Sequence, residues 1–426
     1  MNEFLNITIV VECIIFNFIN FILFGKRLNI NKAQNYVWMF AYLVYLSGYF
    51  QYYDLSIEVY IYSFTYILVF NVIYIIFGKK FNISTESLKT SILNSIENSR
   101  HNIRILGIVS VVCWIITIPL LIKSLPILIS SSMNMLRYIV YGENSIYSTL
   151  DMMIIQYFVR PIYSITIILS AVMLTVRRYN KSFFLITIIN AIMYSLLTSG
   201  RALFMQIIIY VALSLWFFYG NNIGKLFKLY KKIIIPSSII VIAIFWVSSL
   251  RVNRSYGVIG EFVIYMTSSL PYLSILLDSG KVESYSLFGR GFLSFGLDSI
   301  GLVVRLFGIN VPLASQTVSE ITLDSLYVSP TIFTNAIATT LLDFLLEAGF
   351  IGVVIGAVIS GLIAVNAENY FYKTMTTFSY ILYLFILQMM FFSIQFYGLG
   401  KPSVFFIVFF MFIFIRKPMR GFVQRK

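Results

Sequence analysis

Residues 105–122 read ILGIVSVVCWIITIPLLI, a run without a single charged side chain that follows Arg100 and Arg104. As a helix this run is about 27 Å long, close to the thickness of the hydrocarbon core of a bilayer. Similar runs recur, and the chain of 426 residues is 59% hydrophobic and only 11% charged. A water-soluble chain of this length carries far more polar surface. The sequence therefore predicts an all-α, polytopic membrane protein.

Eleven runs are long and apolar enough to be transmembrane helices. They lie near 4–24, 36–53, 59–77, 105–122, 152–176, 182–199, 202–219, 233–250, 350–367, 379–396 and 399–415. We expect a single integral membrane domain over 1–426. One large external loop, 251–349, interrupts it, and we expect this loop to carry partial helices at the membrane surface.

The charges between these runs predict an orientation. The gaps on one side of the membrane hold 21 Lys and Arg residues against three Asp and Glu, whereas the other gaps hold nine against 13. Cytoplasmic loops are enriched in Lys and Arg, so we expect the basic gaps in the cytoplasm, with the N-terminus outside and the C-terminus inside. This topology accounts for the net charge of +14. No nucleic-acid partner is needed to explain it.

Two further segments, 261–277 and 331–348, are apolar enough to be additional spans. If both crossed the membrane, residues 278–330 would face the cytoplasm. That stretch carries three basic and five acidic side chains, the wrong balance for a cytoplasmic loop. We therefore expect both segments to lie on the outer leaflet or to dip into it.

Arginines expected on the outer side run against this charge bias and are candidates for binding an anion. A guanidinium group donates paired hydrogen bonds to phosphate oxygens. The candidates are Arg201, Arg251, Arg254 and Arg290.

The neighbours of these arginines suit such a site. Arg201 follows Gly200 at a break between two apolar runs, and Arg290 lies between two glycines. Arg251 and Arg254 are three positions apart, so they share a face if the preceding helix continues. A second interpretation stays open for each of them: an anchor that reaches lipid phosphates, or a solvated turn.

Arg160 lies inside the run at 152–176, where a charge costs about 2.5–3.5 kcal/mol on insertion scales. It therefore faces the protein interior, either as a structural residue or as part of a substrate cavity. Pro161 follows it and predicts a bend in the helix. Glu12, the other charge within a span, is a candidate partner for Arg160.

Asp343 and Glu347 are four residues apart in LLDFLLEAGF, so they share one face of a helix. One interpretation is a solvated helix face. The other is catalytic, because a carboxylate among apolar neighbours can accept a proton from a sugar hydroxyl.

The sequence lacks the common motifs for binding nucleotides and metals. There is no Walker loop, no dinucleotide-binding glycine pattern and no zinc-ligand spacing. The one histidine, His101, lies in a basic gap beside Arg100. We expect neither a cofactor nor a metal.

Three segments resemble the bacterial Wzy-type polymerases of O-antigen and capsule repeat units. TSGRALF at 198–204 is similar to the family's small-Gly-Arg segment between two spans, and LRVNR at 250–254 opens a long external loop. TNAIATTLLDFLLEAGFIGVVIGAVISG at 334–361 is similar to the Asn/Thr-rich segment that precedes a glycine-spaced span. The family commonly has Asp-Phe-Gly where this chain has Leu345 after Asp343 and Phe344.

The resemblance implies a glycosyltransferase in the bacterial cytoplasmic membrane. It would move a glycan from undecaprenyl diphosphate to an acceptor repeat unit at the outer face. The implied partners are the undecaprenyl-diphosphate-linked oligosaccharide, the lipid bilayer and a chain-length regulator protein. Two alternatives stay open: an O-antigen ligase, which shares the donor, and a flippase or other transporter of lipid-linked oligosaccharides.

Overall fold

The computed structural model describes residues 2–25, 27–130, 140, 145–176, 180–198, 200, 202–220, 256–287, 289–334 and 338–416. Within these ranges the chain is almost entirely helical. The helices are α1 (Asn2–Phe24), α2 (Ile30–Leu46), α3 (Ile57–Phe77), α4 (Thr85–Asn98), α5 (Arg100–Ser130), α6 (Thr149–Met153), α7 (Arg160–Thr175), α8 (Lys181–Thr198), α9 (Ala202–Tyr219), α10 (Gly257–Thr267), α11 (Ser269–Asp278), α12 (Ser294–Leu306), α13 (Ala314–Ile321), α14 (Thr340–Thr374), α15 (Thr377–Phe391) and α16 (Pro402–Ile415). A short antiparallel pair, β1 (Leu326–Tyr327) and β2 (Phe333–Thr334), lies between α13 and α14.

Eight helices among the described residues are long and apolar enough to cross a membrane. They are α1, α3, α5, the continuous helix from α6 to α7, α8, α9, α14 and α15. The pair α10 and α11, bent by 40°, adds a ninth candidate, and α16 is a shorter apolar helix. Large apolar side chains such as Phe4, Phe18 and Ile115 are exposed on these helices, as expected for a surface that faces lipid. The predicted all-α membrane architecture is confirmed in this outline, while the run at 233–250 lies outside the described residues.

Basic gaps of the sequence come together at one end of the helices. The Arg27 guanidinium donates to the backbone oxygen of Ile83 over 3.0 Å, and the amide of Thr377 donates to Ser95 Oγ over 2.9 Å. We call this end the basic face. Among the described residues it includes 24–25, 27–32, 77–104, 175–176, 180–181, 219–220 and 369–377.

The loops between the other helix ends meet at the opposite face. The amide of Tyr53 donates to the Val328 oxygen over 3.0 Å, and the amide of Ser56 donates to Ser274 Oγ over 2.8 Å. Ser269 Oγ donates to the Ile394 oxygen over 2.5 Å. Residues of α11 therefore contact the beginning of α3 and the end of α15 at this face.

The second helix begins earlier than the sequence predicts. The expected span was 36–53, but α2 covers Ile30–Leu46 and the chain leaves the helix through Gly48 and Gln51, which have φ of +63° and +50°. Asn29 starts the helix, since its side chain accepts a hydrogen bond from the Lys32 amide over 2.9 Å. The prediction was wrong because the aromatic residues after position 48 look like membrane-spanning sequence but form a loop.

A network of asparagines joins the first three helices near the basic face. Asn20 donates to Asn31 (3.0 Å), Asn29 to Asn20 (2.8 Å), Asn31 to Asn71 (2.8 Å) and Asn35 to Asn71 (2.9 Å). All five side chains are buried. Because a buried amide without a partner is costly, these mutual bonds hold α1, α2 and α3 in one register.

A π-helical segment, Ile154–Val159, lies between α6 and α7. Arg160 and Pro161 follow it directly, with Pro161 in the first turn of α7. Proline cannot donate the hydrogen bond that an α-helix needs, and its ring clashes with the preceding turn. The wider turn of a π-helix accommodates the ring and the missing hydrogen bond. The bend expected at Pro161 therefore appears as a change of helix type ahead of the proline.

Helix α14 is two helical segments joined by a sharp bend. Ala348 (φ −158°, ψ 35°) and Gly349 (φ +56°, ψ −136°) have non-helical backbone angles. A Cβ added at Gly356 would lie 2.4 Å from the Phe344 ring, and one at Gly352 would lie 2.0 Å from the Phe344 oxygen. In a straight helix, residues 344 and 356 would be about 18 Å apart. The segment 340–347 therefore lies against the helix that follows it, and residues 340–346 are buried.

Gly356→Ala tests this packing. The new methyl group overlaps the buried Phe344 ring, and such overpacking costs about 1–3 kcal/mol, more than the gain in helix propensity. We expect a lower thermal unfolding midpoint in detergent. Gly296→Ala is the matched control, since nothing lies within 4 Å of its Cβ position. An unchanged midpoint for Gly356→Ala would contradict the bent arrangement.

Candidate functional site

Asp343 is a buried carboxylate in the segment 340–347, with 7% of its surface exposed. A Cβ added at Gly400 would lie 2.8 Å from its Oδ1 atom, so the glycine allows the backbone of 398–400 to approach the carboxylate. The positive charge of Lys401 acts on the same carboxylate. The bend after Glu347 thus places Asp343 beside a cation that lies 58 positions later in the chain.

Lys401 precedes Pro402 at the start of α16. Its Nζ atom lies 3.7 Å from the centre of the Phe396 ring, a cation–π contact. Burial, together with the positive charge of Arg160, lowers the pKa of Lys401 to about 8, although Asp343 acts in the opposite direction. Lys401 is therefore a cation at neutral pH that loses its charge at a pH where an ordinary lysine keeps it.

Arg160 is the second cation of this cluster. Its Nη1 atom donates to Gln156 Oε1 over 3.1 Å. Its Nε atom is buried and has no hydrogen-bond partner among the described residues. A buried donor without a partner is costly, which suggests that the guanidinium serves more than the fold.

The expected pair between Glu12 and Arg160 is absent from the described part of the chain. Both carboxylate oxygens of Glu12 are buried there without a hydrogen-bond partner. Glu12 lies on α1 beside Cys13 and acts electrostatically on Tyr42 of α2. The pairing hypothesis was wrong because the two residues belong to different parts of the helix packing.

The surroundings of Arg160 extend to Gly200. Gln156 Oε1 also accepts a hydrogen bond from the Tyr194 hydroxyl over 3.4 Å. A Cβ on Gly200 would lie 3.7 Å from Cε1 of the Tyr194 ring. Arg160 is thus linked through two side chains to Gly200.

Three of the arginines that the sequence predicts to bind an anion lie outside the described residues: Arg201, Arg251 and Arg254. Their expected contact with an anion stays a prediction.

Glu347 binds the loop that contains Arg290. The amide of Gly289 donates to Oε2 over 2.5 Å, the amide of Phe292 donates to Oε1 over 3.2 Å, and the amide of Gly291 also donates to Oε1. A Cβ at Gly291 would lie 2.4 Å from Oε1, so a larger residue there would displace the Glu347 carboxylate. Glu347 therefore holds a loop, and Asp343 is the member of the pair that lies beside the cations.

Arg290 braces the same loop in this structure. Its Nε atom donates to the Leu287 oxygen over 3.0 Å, and its Nη1 atom donates to the Pro312 oxygen over 2.8 Å. These bonds connect the loop with the chain before α13. The expected contact of Arg290 with an anion stays a prediction.

Aromatic contacts join the loop to the Asp343 segment. The Tyr397 hydroxyl donates to the Phe292 oxygen over 3.0 Å. The Phe344 ring lies 4.8 Å from the Tyr397 ring and 5.8 Å from the Phe292 ring. Residues 287 and 289–292 and the segments 340–347 and 397–401 therefore pack together at the opposite face and carry the buried Asp343 carboxylate and the partly buried Lys401.

Sequence reasoning missed Lys401. A usable signal was present, because Lys401 is the only charged residue between Lys373 and Arg416. It also lies in a gap that the charge bias predicts to be external, where lysine is rare, and it stands between a glycine and a proline. The sequence contains no comparable indication that Gln156 accepts hydrogen bonds from Arg160 and Tyr194, since an uncharged amide is not unusual in a membrane helix.

Among the described residues, no group of three or more His, Cys, Asp or Glu side chains could hold a metal ion. Cys13 and Cys113 are both buried free thiols. Asp343, Lys401 and Arg160 combine a buried carboxylate, a lysine whose charge acts on it, and an arginine whose charge acts on that lysine. Such a set can accept a proton and stabilise an anion nearby.

No family model, no curated protein and no solved structure matches this chain.

Glu347→Gln tests the loop attachment. The amide side chain lacks the negative charge that strengthens the three backbone hydrogen bonds, and charge-assisted bonds contribute about 1.5–3 kcal/mol each. We expect the amides of Gly289, Gly291 and Phe292 to exchange with deuterium at least about tenfold faster. Glu283→Gln is the control, because Glu283 is exposed. Equal exchange in both variants would show that Glu347 does not hold the loop.

Proposed function

We propose that this protein is a polymerase of lipid-linked oligosaccharide repeat units. It transfers a glycan from undecaprenyl diphosphate to an acceptor repeat unit at the outer face of a bacterial cytoplasmic membrane. The observation that carries the proposal is the buried Asp343 carboxylate, which packs against Gly400 at the face opposite the basic one and is acted on by the charge of the partly buried Lys401. The charge of Arg160, also partly buried, acts on Lys401 in turn. The sequence resemblance to Wzy-type polymerases supplies the substrate class.

The proposed arrangement in the membrane has 11 spans, the N-terminus outside and the C-terminus in the cytoplasm. It follows from the charge bias, which puts the basic face in the cytoplasm. The contacts of α10 and α11 with the loops of the opposite face support an external position for 251–349. Asp343 then lies at the outer leaflet, where lipid-linked repeat units are polymerised in this proposal.

In the proposed reaction Asp343 is the general base. Its carboxylate takes the proton of an acceptor hydroxyl while that oxygen forms a bond to the anomeric carbon of the donor glycan. The bond between this carbon and the diphosphate oxygen breaks, and undecaprenyl diphosphate leaves with the bonding electrons. No nucleotide is consumed, because the diphosphate is the leaving group.

Lys401 and Arg160 stabilise the departing diphosphate. Negative charge grows on its oxygens as the bond breaks, so cations placed beforehand lower the energy of the transition state more than that of the bound substrate. The unpartnered Nε atom of Arg160 provides a donor for one such oxygen. Arg201, Arg251 and Arg254 are proposed to add further donors, and Arg290 and Glu347 to hold the substrate-facing loop.

Asp343→Asn tests the general base. The amide has nearly the same shape but cannot take a proton, and loss of a general base typically lowers a rate by about 10²–10⁴-fold. We expect the purified variant in liposomes to leave single lipid-linked repeat units unextended, while the wild type forms long chains. Product length on gels is the measurement.

Asp278→Asn is the control for this experiment, because Asp278 is an exposed carboxylate at the same face. Chains of normal length from Asp343→Asn at a normal rate would remove Asp343 from the reaction. Glycan transfer to an acceptor without a lipid diphosphate would favour a ligase. Movement of repeat units across the liposome membrane without any extension would favour a transporter.

The pH dependence of the reaction tests Lys401. The pKa of Lys401 is lowered to about 8, so its charge, and the stabilisation of the diphosphate that depends on it, is present below about pH 8 and is lost above it. We expect the rate of extension by the wild type to fall through this range. Lys401→Arg should keep its rate to a higher pH, since arginine does not titrate there. Superimposable profiles for both proteins would show that the charge of Lys401 is not used.

A further inference from the structure

The described residues enclose a cavity of about 680 Å³ at the basic face. It lies between the ends of α1, α3, α9 and α14 and the first turn of α4. The Asp343 cluster is at the other end of the helices. The cavity is therefore a separate site from the one that contains Asp343.

Three cations line the cavity: Arg27, Lys79 and Lys89. The side chain of Lys89 is only 13% exposed, and its Nζ atom lies 4.1 Å from the centre of the Tyr219 ring. The guanidinium carbon of Arg27 lies 5.5 Å from the centre of the Phe217 ring. Cations held against aromatic rings are partly desolvated, and this strengthens their attraction for an anion.

Two carboxylates also line the cavity, and neither neutralises all of this charge. Glu86 pairs with Lys89 over 3.3 Å, but its side chain is 85% exposed, so water weakens the pair. Glu368 is buried at the edge of the cavity, where it accepts a hydrogen bond from the Tyr74 hydroxyl. Lys79 is exposed and forms no salt bridge with the described residues. The balance of formal charges on the described walls is positive.

The first turn of α4 adds to this balance. Residues 84–86 line the cavity, and α4 begins there with Ser84 as its N-cap. Helix N-termini carry a partial positive charge that favours phosphate groups. In addition, Arg27 donates to the Thr85 hydroxyl over 3.2 Å and so fixes one of the cations against this helix end.

Aromatic side chains form the remaining wall. They are Phe24, Phe81, Trp216, Phe217, Phe218, Tyr219 and Tyr372. Tryptophan and tyrosine concentrate at the level of lipid head groups, where a ring can be apolar on one side and polar on the other. The cavity thus combines cations with an apolar wall at the end of membrane-spanning helices, which suits an amphiphile with a phosphate head.

We propose that this cavity binds the phosphate group of an anionic lipid from the leaflet that adjoins the basic face. Lys79 and Lys89 attract the phosphate, Arg27 and the start of α4 orient it, and the aromatic wall holds the beginning of the lipid chains. Basic pockets between membrane helices bind anionic head groups by the same physics. A soluble phosphate ester shares the phosphate chemistry but not the chains, so an experiment can separate the two.

The test uses the full-length protein in detergent with defined lipids added. Native mass spectrometry measures how much phosphatidylglycerol and how much phosphatidylcholine remain bound. The cavity variant is Lys79→Gln with Lys89→Gln, which leaves the internal hydrogen bonds of Arg27 in place. We expect it to bind phosphatidylglycerol on the order of tenfold more weakly than the wild type, with little change for phosphatidylcholine.

Lys80→Gln with Lys181→Gln is the matched control. Both lysines are exposed at the basic face and outside the cavity lining, so the change in net charge is the same. An equal loss in both double variants, or no loss in either, would overturn the proposal. If the cavity variant unfolds, Lys79→Gln alone replaces it, because Lys79 is exposed and its removal leaves the packing intact.

Inorganic phosphate as a competitor identifies the source of the ligand. Retention of phosphatidylglycerol in millimolar phosphate supports a lipid ligand. Displacement of the lipid from the wild type, but not from the cavity variant, would assign the site to a soluble phosphate compound and overturn the lipid proposal.

Discussion

The bend at Ala348 and Gly349 is the constraint on which the opposite face depends. It turns the segment 340–347 back against the helix that follows, and the small residues Gly352 and Gly356 leave the room that the Phe344 ring needs. Without the bend, 340–347 would extend α14 away from the bundle. The turned segment carries two carboxylates: Glu347 accepts hydrogen bonds from the loop at 289–292, and Asp343 is acted on by the charge of Lys401. Packing of one aromatic ring therefore sets the position of the proposed chemistry.

Polar groups inside the membrane region fall into two kinds. The asparagines of α1, α2 and α3 satisfy one another, and their network needs nothing from outside the protein. Arg160 differs, because its Nε atom is buried without a partner among the described residues. Glu12 and Gln34 also have buried polar atoms without a partner among the described residues, so the unpartnered Nε atom alone does not assign a role to Arg160. We propose that Arg160 acts on a substrate because its charge also acts on Lys401, whose charge acts on Asp343.

The two faces of the helix bundle offer phosphate-binding chemistry of different kinds. At the opposite face, the charge of Lys401 acts on the Asp343 carboxylate and the charge of Arg160 acts on Lys401, a set that we propose moves a proton and stabilises a leaving diphosphate. At the basic face, cations and aromatic rings line a cavity without a buried carboxylate free to act as a base, since Glu368 is bonded to Tyr74. That set can hold an anion but has no evident means of reaction. In the two proposals, the protein binds lipid phosphates in both leaflets and reacts with those in only one.

The sequence by itself determined the class of architecture, because apolar runs of membrane length and the distribution of Lys and Arg are local properties. It also made Arg160 and Asp343 candidate site residues, since a charge among apolar neighbours is costly wherever it lies, and their role stays a prediction. It misplaced α2, whose start depends on the Asn29 cap and on amide partners in other helices. Only the tertiary structure decided that Asp343 lies beside Lys401 and that Glu347 holds a loop. Residues 160, 343 and 401 are far apart in the chain, and no local pattern reports a contact that helix packing alone creates.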